Sequence, residues 1–279
     1  MIELVSLSTV ALSDVGRVRE HNEDAVFADA DQGLAILADG MGGYMAGEVA
    51  SQIAIEALRE HVGKGADAAT LAKVDPLTGL TTAAQRIRNA VIEANQRIYA
   101  EAAKKRDQDG MGTTLVAVLI YAETACVAHV GDSRVYRLRK GVLTQMTRDH
   151  SLVQEQIDAG KLTAEEAKSS GYKNLVTRAL GIDALTEADI NEFRIAQGDI
   201  FMLCSDGLSD MITDEMIRDE MASGLPKATI AKNLIDLANQ SGGRDNISVV
   251  LLQVDRLPGA EQAWWKKWEN NKQAKALVK

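Results

Sequence analysis

The sequence predicts an α+β fold, a sandwich of antiparallel sheets flanked by helices, in one domain. Strand-like and helix-like runs are segregated along the chain, with no regular βαβ alternation. Turns of two residues at 122–123 and 140–141 imply antiparallel pairing of the runs they join. Hydrophobic residues make up 46% of the chain and aromatics only 4%, so a substantial core must be aliphatic.

Ile2 to Leu12 is apolar and β-branched enough to open the fold as a strand, and the charged stretch Asp14 to Asp24 reads as a loop. Ala25–Asp29 and Leu34–Ala38 form a hairpin around Asp31-Gln32-Gly33. Val49, Ile53, Ala57 and Leu58 stripe a helix over Gly47–Val62. Gly63 to Thr81, with three glycines and Pro76, reads as loop. Ile87, Val91, Ala94 and Ile98 lie on one face of a long helix, Thr82–Lys105. Four strands follow at Thr113–Tyr121, Thr124–Val130, Val135–Arg139 and Val142–Met146. Ser151–Gly160 and Thr163–Ser170 suit two short helices, the second opened by Thr163 and Glu166 at capping-box spacing. Glu187–Phe193, Asp199–Cys204 and Asn246–Val254 supply further strands, with helices Thr213–Ser223 and Lys227–Gln240 between the last two.

Charge and composition exclude several classes. A net charge of −9 disfavours nucleic acid as a partner. Cys126 and Cys204 lie inside apolar runs without zinc-site spacing, which suits buried thiols in a reducing cytoplasm. No signal peptide or long apolar span is evident, so a soluble cytoplasmic protein is expected. Residues 1–255 read as the folded domain. Residues 256–279 hold all three tryptophans beside Lys266 and Lys267. A terminal helix laid on the domain is preferred there over a basic-aromatic segment for a membrane or partner.

The chemistry sits in acids at the ends of apolar runs. Leu37-Ala38-Asp39-Gly40-Met41-Gly42-Gly43 closes one run, and Ser205-Asp206-Gly207 closes another. Gly131-Asp132-Ser133-Arg134 joins two strands, Arg244-Asp245-Asn246 precedes the last, and Glu23-Asp24 precedes the first hairpin. Converging carboxylates repel unless cations bind between them, and an all-oxygen set suits Mg²⁺ or Mn²⁺. The histidines His21, His61, His129 and His150 show no paired spacing on a helix and offer no competing site; His61 and His129 read as satisfied structural residues. Neither a nucleophile elbow nor a Walker-type loop is present. Metal-activated water is the chemistry this inventory permits.

The ordered set Arg19…Asn22-Glu23-Asp24, Ala38-Asp39-Gly40-Met41-Gly42-Gly43, Gly112-Thr113-Thr114, Gly131-Asp132-Ser133-Arg134, Ser205-Asp206-Gly207-Leu208 and Asp245-Asn246 resembles the metal-dependent serine/threonine protein phosphatases of type 2C, in their bacterial form. The resemblance covers about Ser8 to Val254. It implies a four-layer α/β/β/α sandwich, two or three Mn²⁺ or Mg²⁺ ions, phosphoprotein substrates, a cognate Ser/Thr kinase and a monomer. It further implies that Asp39 bridges two metal ions with the Gly40 carbonyl on one, and that Asp206 and Asp245 hold the other. Glu23 and Asp24 would orient bound waters, and Arg19 would clamp the phosphate. The bridging water would attack phosphorus, and Asp132 with Asp206 would bind a third metal. The stretch from about 150 to 174 looks like the mobile flap of those enzymes.

Two departures matter. Met41 stands where eukaryotic relatives place a candidate general-acid His, and Asn174 where some bacterial relatives have a metal-contacting Ser. The alternatives from other classes are a non-catalytic phosphoprotein-binding regulator and a hydrolase of small phosphoesters.

Overall fold

The computed structural model describes residues 5–43, 45–62, 67–104, 110–163, 166 and 175–258. Asn174, most of the expected helix Thr163–Ser170 and the tail beyond Pro258 lie outside the described residues.

Two antiparallel sheets form the centre. One has the order β1 (Ser6–Asp14), β11 (Ile247–Arg256), β10 (Ile200–Cys204), β7 (Arg134–Arg139), β8 (Val142–Gln145). The other runs β2 (Asp24–Asp29), β3 (Leu34–Met41), β5 (Leu115–Tyr121), β6 (Thr124–Val130), β9 (Asp189–Arg194), with the two-residue β4 (Gly112–Thr113) paired to the end of β3. Helices α1 (Ala46–Val62) and α3 (Thr82–Ala102) cover the second sheet. Helices α5 (Asp206–Ser209), α6 (Asp214–Met221) and α7 (Lys227–Gln240) cover the first. No helix of the described residues is long and apolar enough to cross a membrane.

Strand alternation makes the four layers. Leu34, Ile36 and Ala38 face α1 and α3, whereas Ala35 and Leu37 face the opposite sheet. In β10, Met202 and Cys204 pack under α6 and α7 while Phe201 and Leu203 fill the space between sheets. Central strands buried on both faces read as continuous apolar runs, as β5 does. Both cysteines are buried and free.

The structure differs from the sequence expectation in several places: the strand expected over Thr113–Tyr121 is split at Thr114 into β4 and β5, and β1 runs to Asp14, which the sequence places in the loop. β3 runs on through Asp39 to Met41, because Gly112 and Thr113 pair with its last two residues. The stretch 63–81 contains a one-turn helix, α2 (Ala68–Leu71), whose N-cap Asp67 accepts from the Thr70 N–H. A second one-turn helix, α5, follows Ser205 directly. Helix α4 (Leu152–Asp158) is capped by the Ser151 hydroxyl, and Thr163 with Glu166 makes the reciprocal bonds of a capping box.

Candidate active site

Register builds the site. Asp39 continues the inter-sheet face of β3, and the β2–β3 hairpin sets Asp24 directly opposite it. Like charges facing each other across a ladder destabilise a sheet. Next to them Gly40 allows three chain segments to meet, since a Cβ there would stand 2.1 Å from the Gly47 carbonyl oxygen and 2.6 Å from that of Glu23. The Gly40 N–H donates to the Glu23 carbonyl at 3.2 Å.

From the other sheet, β10 delivers Ser205 and Asp206, and Gly207 lies so close to the Asn246 carbonyl oxygen that a Cβ would be 2.0 Å away. Asn246 fastens the 14–24 loop. Its Oδ1 accepts from the Glu23 N–H at 2.8 Å, and its Nδ2 donates to the carbonyls of Val15 at 3.0 Å and His21 at 2.9 Å. Arg19 at the exposed rim donates to Asp245 Oδ2 at 2.7 Å. Asp132 sits at the tight β6–β7 joint, where Gly131 takes φ +100°.

The electrostatics set this edge apart. Burial, then the charges of Asp24, Asp206, Asp132 and Asp245, push the Asp39 carboxyl well above the ordinary aspartate range. Burial followed by Asp132 and Asp245 raises Asp206 to about 8. Asp24 rises to about 6 through burial, partly offset by hydrogen bonds from Ser248 and Ser205. Asp132 rises to about 6 through burial and then Asp149. Burial also raises Glu23, against the pull of Arg19. Among the described residues the ion pairs fall elsewhere, on Asp149, Asp199 and Glu93 for example, and none reaches Asp24, Asp39, Asp132 or Asp206. The buried Oδ1 of Asp24 has no hydrogen-bond partner. A hard divalent cation fits such a donor set.

Several contributors act through contacts that only the fold reveals. Thr113 Oγ1 donates to the Asp39 carbonyl at 2.8 Å, and the Asp39 N–H donates to Thr114 Oγ1 at 3.1 Å. Thr114 Oγ1 in turn shares a 2.7 Å hydrogen bond with Ser133 Oγ, so one buried hydroxyl pair joins the strand of Asp39 to the loop of Asp132. Arg134 grips Asp149 with two donors, Nε shared between both carboxylate oxygens and Nη2 on one, at 2.7 to 3.1 Å. Asp210, four residues beyond Asp206, adds to the negative potential at Asp206 and Asp132. The spacing Asp206-x-x-x-Asp210 was the one available clue. Met41 pairs with Gly112 at the end of β3. Among the described residues, His129, His150 and Asp189 form a group with ligand atoms within 4.8 Å of one another, and His129 Nε2 is hydrogen-bonded to the Arg148 carbonyl at 2.7 Å.

Comparison with known proteins gives this architecture a family. The chain is 42% identical over 250 residues to the serine/threonine protein phosphatase PstP of Mycobacterium tuberculosis, covering 89% of this chain and 45% of that protein. It thus spans about half the length of the mycobacterial relatives it matches. The serine/threonine phosphatase stp of Listeria monocytogenes is 37% identical over 246 residues, covering 87% of this chain and 94% of that one. The crystal structure of the PstP catalytic domain in complex with two manganese ions superposes with a TM-score of 0.78 at 40% identity, over 91% of this chain and 100% of that one. Stp1 from Staphylococcus aureus gives a TM-score of 0.81 at 29% identity, over 92% and 98%. The family model for protein phosphatase 2C matches residues 16–239, and the chain belongs to that family.

Proposed function

We propose that this chain hydrolyses phosphoserine and phosphothreonine in proteins, using two or three Mn²⁺ or Mg²⁺ ions. The observation that carries the reading is the set of buried carboxylates at one sheet edge with no basic side chain paired to Asp24, Asp39, Asp132 or Asp206 among the described residues. In this reading Asp39 and the Gly40 carbonyl would hold one ion, and Asp39 would serve a second as well. Asp206 and Asp245 hold the second, and Asp132 with Asp206 takes a third. Bound there, divalent cations supply charge neutralisation for a phosphoryl group and acidify water enough for attack at neutral pH.

The protein's own residues do the rest. Arg19 is half-exposed at the rim, free to offer its planar fork to a phosphate while still beside Asp245. Glu23 is fixed by Asn246 on its backbone and receives the Gly47 N–H, which holds its carboxylate toward the cluster. Asp24 accepts from Ser205 Oγ at 2.9 Å and keeps one oxygen for a water or ion. These two acids would orient the attacking water and receive its proton.

Phosphoproteins are the substrate class, and a Ser/Thr kinase acting in opposition, a monomeric state and a cytoplasmic setting complete the proposal. Residues 1–255 would form the catalytic domain, with a flap near 150–174, and 256–279 a separate tail. The test is phosphate release from a phosphothreonine peptide with Mn²⁺, with EDTA, and from Asp39→Asn. Release that needs both the metal and Asp39 is expected. Release indifferent to EDTA would contradict the metal reading, and no release with any divalent ion would shift the assignment to a phosphoprotein-binding regulator.

A further inference from the structure

Two histidines stack outside the carboxylate cluster. The rings of His129 and His150 lie with centroids 4.5 Å apart and planes 23° from parallel. Asp189 of β9 faces His150 Nε2 at 3.5 Å, and Arg178 Nη1 donates to Asp189 at 2.9 Å. Two imidazoles and a carboxylate would suit Zn²⁺ by donor type. Hydrogen bonding decides against it. The Gly131 N–H donates to His150 Nδ1 at 3.1 Å, so Nδ1 carries the lone pair and Nε2 the proton. Arg178 Nη1 also lies 3.3 Å from Nε2, but its two N–H groups have oxygen acceptors in Asp189 Oδ1 at 2.9 Å and the Glu187 carbonyl at 3.3 Å, so the nitrogen facing Asp189 keeps its proton and has no lone pair for a metal. His129 Nε2 is likewise committed to the Arg148 carbonyl at 2.7 Å, and near-parallel rings aim their in-plane nitrogens side by side rather than at a common point. Arg178 already supplies the positive charge that Asp189 needs.

What the group does hold is the backbone before Asp132. His150 grips Gly131 from both sides: its N–H donates to the Gly131 carbonyl at 2.9 Å while its ring accepts the Gly131 N–H. Gly131 has φ +100° and packs on Thr114, where a Cβ would lie 2.7 Å from Thr114 Cγ2, so the loop has one available path. His150 is also the root of the 150–177 excursion, because Thr177 N–H donates to its carbonyl at 2.8 Å and Ser151 bridges to Val176. Burial keeps both rings below the ordinary histidine range, which suits neutral, stacked imidazoles.

We propose that His150 is a positioning residue for the metal chemistry: its ring, with the tautomer set by the Gly131 N–H and by Asp189, fixes the Gly131–Asp132 loop and couples it to the Thr177 and Val176 contacts at its own backbone. This rests on the reading of Asp132 as a metal ligand. His129 acts as the platform beneath the ring.

Isothermal titration of Mn²⁺ into the metal-free protein separates the possibilities, with Asp132→Asn marking the binding event that depends on Asp132. His150→Gln reaches toward Asp189 but loses the acceptor for Gly131, and it should weaken that event about 10- to 100-fold, the range for residues that orient ligands. His150→Asn keeps an acceptor at the Nδ1 position and should restore it to within about threefold, since it reforms the bond the other variant lacks. Asp189→Asn lies on a half-exposed side chain, leaves the buried packing untouched and should weaken the event in the wild-type background but not in His150→Asn. If His150→Gln and Asp189→Asn bind like wild type, or if His150→Asn is as impaired as His150→Gln, the inference is overturned. If Asp132→Asn itself binds Mn²⁺ like wild type, the ligand reading fails instead, and the two failures are distinct.

Discussion

The two ends of strand β10 treat a buried carboxylate in opposite ways. At its start Asp199 is wholly buried, and Arg139 meets it with two donors, Nε at 2.7 Å and Nη2 at 2.5 Å, while the Ala196 N–H adds a third at 2.8 Å. Past its other end Asp206 shares its surroundings with Asp132, Asp245, Asp210 and Asp24, and no arginine or lysine pairs with it among the described residues. An ion pair satisfied by geometry is a structural device. A cluster in which Asp24, Asp39, Asp132 and Asp206 have no ion pair among the described residues, and only Asp245 at the rim meets Arg19, is a device for holding something else, and its cost is met only when cations arrive.

The contrast can be broken first at the unmatched end. Asp206→Asn is expected to abolish Mn²⁺-dependent phosphate release, read with a phosphothreonine peptide, while the far-UV circular dichroism stays unchanged. At the matched end, Arg139→Met should leave Asp199 buried and alone, costing about 3 kcal/mol of stability in urea denaturation. Residual activity per folded molecule and its Mn²⁺ dependence should be kept. Thr114→Val removes the hydroxyl that joins Asp39 to Ser133, and a loss of about tenfold in Mn²⁺ affinity is expected by titration, with Thr114→Ser close to wild type. A further effect is one of pH. Unfolded, these aspartates titrate near about 3.9. Folded and metal-free, Asp24 and Asp132 titrate at about 6 and Asp206 at about 8. Between those values the folded state holds more protons than the unfolded one, so stability falls as pH rises from about 4 to 8. A melting temperature that drops across this window in EDTA, and drops less with Mn²⁺, is the expected record.

Much of this was legible in the sequence. Two-residue turns and apolar runs marked the hairpins, α7 spans Lys227–Gln240 as its apolar spacing indicates, and Asp39, Asp132 and Asp206 stood out as acids beside apolar runs. The layering shows up as alternation within β3 and β10, but only the fold says which face meets which neighbour. Asp39 lies inside a strand rather than after it because Asp24 pairs with it and because β3 runs on to Met41 against Gly112 and Thr113, more than 70 residues away. The one-turn helices α2 and α5 are too short for periodicity to mark and depend on local caps and tertiary contacts. His129, His150 and Asp189 come from two strands and a loop, so no spacing rule could join them.

The most direct measurement is thermal unfolding of wild type and Asp39→Asn, each in EDTA and in Mn²⁺. Asp39→Asn replaces a carboxyl whose ionisation burial and its neighbours oppose, so in alkaline buffer its metal-free melting temperature should rise above wild type, and its gain on adding Mn²⁺ should vanish. A variant that melts lower than wild type in EDTA, or that keeps the full Mn²⁺ gain, would show that Asp39 is held by something other than the cations this edge is built to bind.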